Sequence, residues 1–430
     1  MSSDVSILIP IDKEQTEDRK TNTTWMLSLY GTAIGAGTLF LPIDAGINGI
    51  IPLLIIAVLA FPMTYFSHKA LCRFVLSGAN EDADITNVVD EHFGHLAGKL
   101  LTYMYFFSIF PILLLYSVAI TNTTNSFIIN QLHLSPPPRV VLSFLLVSGL
   151  MVVIRMGQHI VIKAMSFLVY PFLTVLILLS LYLIPYWNSS ILQYTPNTSG
   201  HSSLIMTLWL LIPVVVFSFN HSAIISSFAV SQKKRYGSAA PEECANLLKK
   251  THIFMVVSVL FFVFSCVFSL SPYDLAQARE QNISILSYLA NHFRTPVIAY
   301  IAPLIAFLAI AKSYLGHYLG ASEGLSGIIC KSLKQRNKSI SERKLVVFID
   351  IFIIISCWTA ATINPNILTI IETLGGPIIA IILFIMPVYA IMTVPCMKRY
   401  RNPIANTFTF SMGIIALSAI LYGIKHSLGW

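Results

Sequence analysis

Charge is what this sequence has least of. Only 11% of its 430 residues are Asp, Glu, Lys or Arg, against about 25% in a typical soluble domain. After the first 24 residues no polar stretch is long enough for a sizeable soluble domain. No GxxxxGK[ST] loop occurs, which argues against ATP-driven work by this chain. No HExxH, GxSxG or paired-carboxylate signature rises above chance, so an enzyme has little support and no cofactor is implied. No span is rich in arginine, which argues against a voltage sensor. The six cysteines, at 72, 244, 266, 330, 357 and 396, include no CxxC pair, so neither a zinc site nor a redox pair is indicated. Met1–Thr24 is polar and mixed in charge, without an early apolar core or a cleavage site. The first apolar segment is therefore expected to act as its own insertion signal.

What is abundant is apolar surface. Hydrophobic residues make up 56% of the chain and mean hydropathy is +0.75. An all-α polytopic membrane protein is expected, because a crossing takes about 20 apolar residues. Eleven candidate spans follow: 24–42, 48–72, 100–126, 139–154, 160–184, 203–230, 252–271, 296–325, 345–363, 367–392 and 404–424. The net charge of +8 and pI near 9.1 do not point to nucleic acid, because the basic residues sit in short loops between spans, facing a lipid bilayer. With a cytoplasmic N-terminus, 22 of the 27 Lys and Arg residues fall in inside segments and 4 outside, and Lys312 falls within a span. That alternation fits the positive-inside rule and puts the C-terminus on the outer side.

Two spans carry interruptions. The first reads SLYGTAIGAGTLFLP, Ser28 to Pro42, where glycines and a proline crowd an apolar segment. The sixth has 28 residues, about 42 Å as a straight helix, against a hydrocarbon core of about 30 Å. Its interior holds Pro213 and the polar cluster Ser218, Asn220, His221 and Ser222. Breaks are therefore expected around Gly31–Gly37 and Pro213–Ser222. Five spans separate them, so the two interrupted spans start on opposite sides of the membrane. That is the pattern of an inverted repeat, 24–184 against 203–392, with a cytoplasmic tail 1–23 and an appended span 404–424. In transporters of this type, matched broken helices form the substrate site at the midplane. Half-helix N-termini suit a carboxylate and unwound carbonyls suit an ammonium group; an amino acid offers both. The alternative for the glycines is close helix packing, since Gly31 and Gly35 form a small-xxx-small pair.

GTAIGAGTLFLP resembles the first-span signature of the amino acid/polyamine permease superfamily. Further stretches resemble one branch, the bacterial hydroxy and aromatic amino acid permeases: ILLLYSVAITNT, VFSFNHSAIISSFAV, EQNISILSYLANHF, SYLGHYLGASEG and IETLGGPIIAIILFIMPVYAI. The likeness runs through all eleven spans. It implies a LeuT-like five-plus-five fold and symport of L-serine with H⁺ across the bacterial inner membrane. Asp44 is a departure, standing where an asparagine is expected. Threonine or another small neutral or aromatic amino acid remains an alternative substrate, and uncoupled facilitation an alternative mechanism.

The residues expected at the substrate are Thr32, Gly35, Ala36 and Gly37 in the first break and Ser218, Asn220, His221 and Ser222 in the second. The candidates for proton coupling are Lys312, Lys163, His221 and Glu372, because ionisable groups inside spans are costly and point to function. Lys312 lies near the middle of span 8, where its ammonium can stand in for the cation that sodium-coupled relatives of this fold hold between spans 1 and 8. Lys163 begins span 5, where a lysine snorkelling to the interface is an equal alternative. His221 carries a side chain that titrates near neutral pH. Glu372 is the main alternative partner for Lys312 in a fixed ion pair. His317, Glu323, Tyr103, Tyr105 and Tyr116 are weaker candidates for proton handling or gating.

Overall fold

In lipid a backbone has no water to bond, so a spanning segment must satisfy its own N–H and C=O groups as helix. The computed structural model describes residues 9–193, 204–293, 295–366 and 376–427, and all regular structure among them is helical. In chain order these are α1 (Ile9–Ala33), α2 (Ala36–Ile47), α3 (Ile50–Leu76), α4 (Ile85–Asn130), α5 (Arg139–Arg155), α6 (Gln158–Leu183), α7 (Ser190–Gln193), α8 (Leu204–Ser218), α9 (Ser222–Tyr236), α10 (Ala240–Ser269), α11 (Pro272–Glu280), α12 (Ile285–Phe293), α13 (Pro296–Gln335), α14 (Glu342–Ile363), α15 (Gly376–Ile379), α16 (Met386–Thr393) and α17 (Pro403–Ser427). A π-helical stretch, Ala380–Ile385, joins α15 to α16.

Among the described residues, eight helical segments are long and apolar enough to cross a membrane, or nine if α1 and α2, bent by 50°, are one broken span. The chain is therefore a multi-pass membrane protein. Its outward surface is apolar, with Val58, Phe167, Val257 and Ile404 all exposed, while Ser28, His68, Asn220, Lys312 and His317 are buried. That distribution suits a lipid solvent, in which outward polar groups would be costly. All six cysteines are free.

Several boundaries differ from the sequence reading for visible reasons. The third span is preceded by a short polar helix, and the two run together as α4 through Gly94, whose φ of +78° and ψ of 170° turn the chain. The Asp84 side chain accepts from the Asn87 N–H and caps its start. The seventh span begins twelve residues early, at Ala240, because Ala240–Thr251 continues it as a polar helical extension. Between the seventh and eighth spans lie two helices that hydropathy did not distinguish, α11 and α12. α11 starts with a Ser271–Asp274 capping box. It lies against the end of α2, where the Leu275 side chain packs so close to Gly46 that it would have to shift to admit a Cβ there.

At the centre, α13 packs on α4 and α6, α1 packs on α6 and α13, and α3 packs on α9 and α10. The interruptions in the first and sixth spans meet inside this arrangement.

Candidate substrate and ion site

The first break is narrower than the sequence suggested. Gly31 stays in α1; the helix stops at Ala33, and Ile34 and Gly35 are non-helical before α2 begins. Ending a helix frees carbonyls of its last turn. Two of them are taken by α13. The Lys312 ammonium donates to Ile34 O at 2.5 Å and to Gly31 O at 3.3 Å. The Ser313 hydroxyl lies 2.9 Å and 3.0 Å from the same two oxygens. The Phe172 ring of α6 covers the ammonium from another side, its centroid 4.0 Å from Nζ. Lys312 has no exposed surface. Its charge is thus met by carbonyl dipoles and a ring face, with no carboxylate in direct contact among the described residues.

The glycines here permit close approach. A Cβ on Gly35 would lie 2.6 Å from Ser313 Cβ and 2.7 Å from Tyr116 Cε1. A Cβ on Gly37 would lie 2.7 Å from Phe217 Cε1 and 3.1 Å from Ser218 Cα.

The second break covers Phe219 to His221, between α8 and α9. Pro213 does not make it; it sits inside α8, as prolines can where a helix is supported by neighbours. The two breaks are bonded to each other. Thr38 Oγ1 donates to Ser218 O at 2.8 Å, and Ser218 Oγ lies 3.1 Å from Gly37 O and 2.7 Å from Val214 O. Asn220 folds back so that its Oδ1 accepts from the Ser222 N–H at 3.0 Å. The His221 N–H donates to His68 Nε2 at 3.2 Å.

The eight residues expected at the substrate therefore fall on the two breaks and the helix ends beside them. Gly37 and Ser218 meet directly, while Gly35 faces Ser313 and Tyr116. Thr32 turns toward α13 and donates to Ser28 O in its own helix at 2.9 Å; its methyl would lie 2.9 Å from a Cβ on Gly316. Ala36 contributes the backbone that begins α2. Asn220, His221 and Ser222 are buried together.

The coupling candidates scatter. Lys312 clamps the first break and His221 caps α9 in the second. Lys163 is exposed and shares a surface cleft with Arg19, Lys20 and Tyr170. It does not join Lys312, because the helical phase of α6 turns Phe172 and Val169 inward and Lys163 out. Glu372 lies outside the described residues. His317 donates Nδ1–H to Ser313 O at 2.9 Å and sits edge-on to Tyr116 at 4.9 Å.

Sequence reasoning did not single out Thr38, Ser313, Phe172, His68 or His252. Ser313 was adjacent to Lys312 and so within reach. His68 and His252 were findable as histidines within or beside apolar runs; the partners they have were not.

This arrangement offers two helix N-termini, those of α2 and α9, beside two helix C-termini, of which that of α1 accepts the Lys312 ammonium and that of α8 the Thr38 hydroxyl. An anion suits the former and a cation the latter. Comparison with known proteins agrees with a transport protein. Residues 20–426 match the tryptophan/tyrosine permease family. The serine transporter SdaC of Escherichia coli (strain K12) is 60% identical over 410 residues, covering 94% of this chain and 95% of that one. SdaC of Shigella flexneri is 58% identical over the same shares. The threonine/serine transporter TdcC of Escherichia fergusonii is 45% identical over 423 residues, 94% of this chain and 96% of that one. With nearly its whole length matched, the chain belongs to the tryptophan/tyrosine permease family.

Proposed function

We propose that this protein imports L-serine by symport with H⁺ across a bacterial inner membrane, by alternating access around a midplane site between the two broken helices. The observation that carries the reading is the contact of those breaks, Thr38 with Ser218 and Ser218 with Gly37, from segments about 180 residues apart in the chain. Serine as substrate is supported by the serine transporters at about 60% identity.

The architecture we propose has eleven spans. Besides the eight apolar helical segments and the broken α1–α2 pair, α5 with 17 residues is a short crossing, and α8 with 15 residues forms the sixth span together with α9 across the second break. Spans 1–5 (24–184) and 6–10 (203–392) form the inverted LeuT-like repeats, 404–424 is appended, and 1–23 is a cytoplasmic tail. The N-terminus is cytoplasmic and the C-terminus periplasmic, from the Lys and Arg distribution.

The serine carboxylate binds at the N–H groups of Ala36 and Gly37, at the start of α2. Its hydroxyl is met by Ser218, Asn220 or His221. Lys312 acts as a tethered cation: its ammonium latches α1 to α13 where relatives of this fold bind a free ion. Proton uptake near Lys312 and His221 biases the rocking of spans 1, 2, 6 and 7 against the rest.

The test is uptake of labelled serine into vesicles with and without an imposed pH gradient. Accumulation should follow the gradient. Uptake that ignores it and never concentrates serine would favour an uncoupled facilitator. Threonine, cysteine and tryptophan competition sets the specificity, since one methyl is discriminated by only about 1–3 kcal/mol in an apolar pocket.

A further inference from the structure

Three buried histidines stand behind the second break, and only one of them enters the scheme above. His68 comes from α3, His221 caps α9 and His252 comes from α10; none has exposed surface. One ring nitrogen of each lies within 4.8 Å of one from each of the others. His68 and His221 stack at 3.8 Å with planes 9° apart. His252 is tilted against both, at 5.3 Å and 4.8 Å between centroids.

Their partners define which nitrogen carries hydrogen. A carbonyl only accepts, so a ring nitrogen bonded to one must donate. His68 Nδ1 donates to Thr64 O at 2.7 Å, His252 Nδ1 to Leu248 O at 2.7 Å and His221 Nδ1 to Phe219 O at 3.2 Å. In the neutral rings the lone pairs are therefore all on Nε2. That of His68 accepts the His221 backbone N–H. Those of His221 and His252 are buried without a hydrogen-bond partner, and the Thr64 carbonyl lies beside the His252 ring. Two acceptors without a donor, in a lipid-enclosed site, are missing a hydrogen.

We infer that this histidine triad is the proton-binding site of the transport cycle, taking one H⁺ at Nε2 of His221 or His252 and sharing its charge among three rings. The step forms one N–H bond and turns a hydronium ion into water. At His252 the new N–H faces the Thr64 carbonyl. At His221 it points among the neighbouring imidazoles. A divalent metal is a poorer occupant. The His68 Nε2 lone pair is already taken by the His221 N–H, and the His68 and His221 rings, stacked 9° apart, aim their Nε2 atoms side by side instead of at one centre. The other titratable groups facing the triad are His317 from α13 and Tyr65 from α3, edge-on to His252 at 5.9 Å, with Lys69 over the Tyr65 ring at 4.9 Å.

The site is coupled to the break directly, because His221 belongs to both and its Nδ1 donates to Phe219 O. The bond from the His221 N–H to His68 Nε2 also holds the non-helical turn, and it is lost if the proton moves onto His68. The three histidines come from spans 2, 6 and 7, all in the group that rocks. A charge gained there belongs to the moving part, while Lys312 keeps its own charge on span 8 as the latch.

This inference rests on the proton-coupled reading, and the experiment separates the two. In proteoliposomes, serine-evoked proton influx is measured beside serine influx. If the wild type moves serine without protons, the coupled reading fails and the triad with it. If the wild type is coupled, His252→Gln and His68→Gln should lower protons per serine at least about tenfold and flatten the dependence of uptake on pH between about 5.5 and 7.5, the range in which histidine titrates. Serine counterflow above that of empty liposomes reports a folded variant. A wild-type proton ratio in both variants overturns the assignment. Should neither variant fold, ¹⁵N-histidine NMR of the wild-type protein decides. One triad ring must gain a second N–H across the range in which uptake changes; three rings that stay neutral throughout overturn it.

Discussion

Replacing Lys312 with methionine separates transport from stability. Methionine keeps most of the apolar stem against Phe172 and deletes the ammonium. Lys312 Nζ is 2.5 Å from Ile34 O and 3.3 Å from Gly31 O. Ser313 Oγ reaches both oxygens, but a hydroxyl has one hydrogen and satisfies one at a time. The variant therefore leaves about one buried carbonyl unpaired at the end of α1, a cost of about 1–3 kcal/mol. That cost falls only on the conformation in which α1 is latched to α13, so the population of that state drops about 5- to 150-fold. The folded protein as a whole does not suffer equally, because an apolar side chain no longer pays to bury a charge, and such exchanges are often neutral or stabilising. The expected result is serine accumulation under an imposed pH gradient reduced about 5- to 150-fold, with thermal unfolding in detergent at or above the wild-type temperature. Normal accumulation by Lys312→Met would refute the latch. Lost accumulation accompanied by a fall in unfolding temperature would show that the ammonium is a structural element of the fold.

Three further outcomes are expected. Gly35→Val places carbon where Ser313 Cβ and Tyr116 Cε1 would be 2.6 Å and 2.7 Å from Cβ, an overpacking of about 1–3 kcal/mol; serine binding should weaken strongly, and unchanged affinity would count against a site at the first break. Ser218→Ala removes the hydroxyl 3.1 Å from Gly37 O, a loss of about 1 kcal/mol, and should raise the half-saturating serine concentration about fivefold; a wild-type value would detach Ser218 from the site. Lys331→Met removes an ammonium 2.8 Å from Asp90, 2.8 Å from Thr86 O and 2.7 Å from Thr102 Oγ1. Because the Asp90 side chain is 31% exposed, the cost is held to about 1–3 kcal/mol, visible as a lower unfolding temperature, and no change would mean that water replaces the lost donor.

How much of this was legible beforehand depended on the range of the physics involved. Burial in lipid is read residue by residue, so a count of apolar runs placed most of the membrane segments, and the Lys and Arg asymmetry suggested their direction. Helix interruption is also local. Glycine and a cluster of small polar residues weaken a helix wherever they stand, so both breaks were foreseen to within a few residues. The error at Pro213 came from treating proline as a breaker where neighbouring helices support it. The paired helices α11 and α12 were missed because each has only nine residues, and a search for 20-residue apolar runs passes over them.

The sequence by itself determined the solvent, the helical class and the two weak points, because each follows from composition within one or two turns. Tertiary structure decided what those weak points hold. The Lys312 ammonium finds carbonyls 278 and 281 residues away, and His68 meets His221 and His252 from 153 and 184 positions along the chain. Lys163 shows the same limit from the other side: its position beside the first break was plausible in sequence, yet the phase of α6 turns it to the surface. A side chain's neighbours depend on how whole helices rotate and cross, and those angles are settled by packing along their full lengths, which no local window contains.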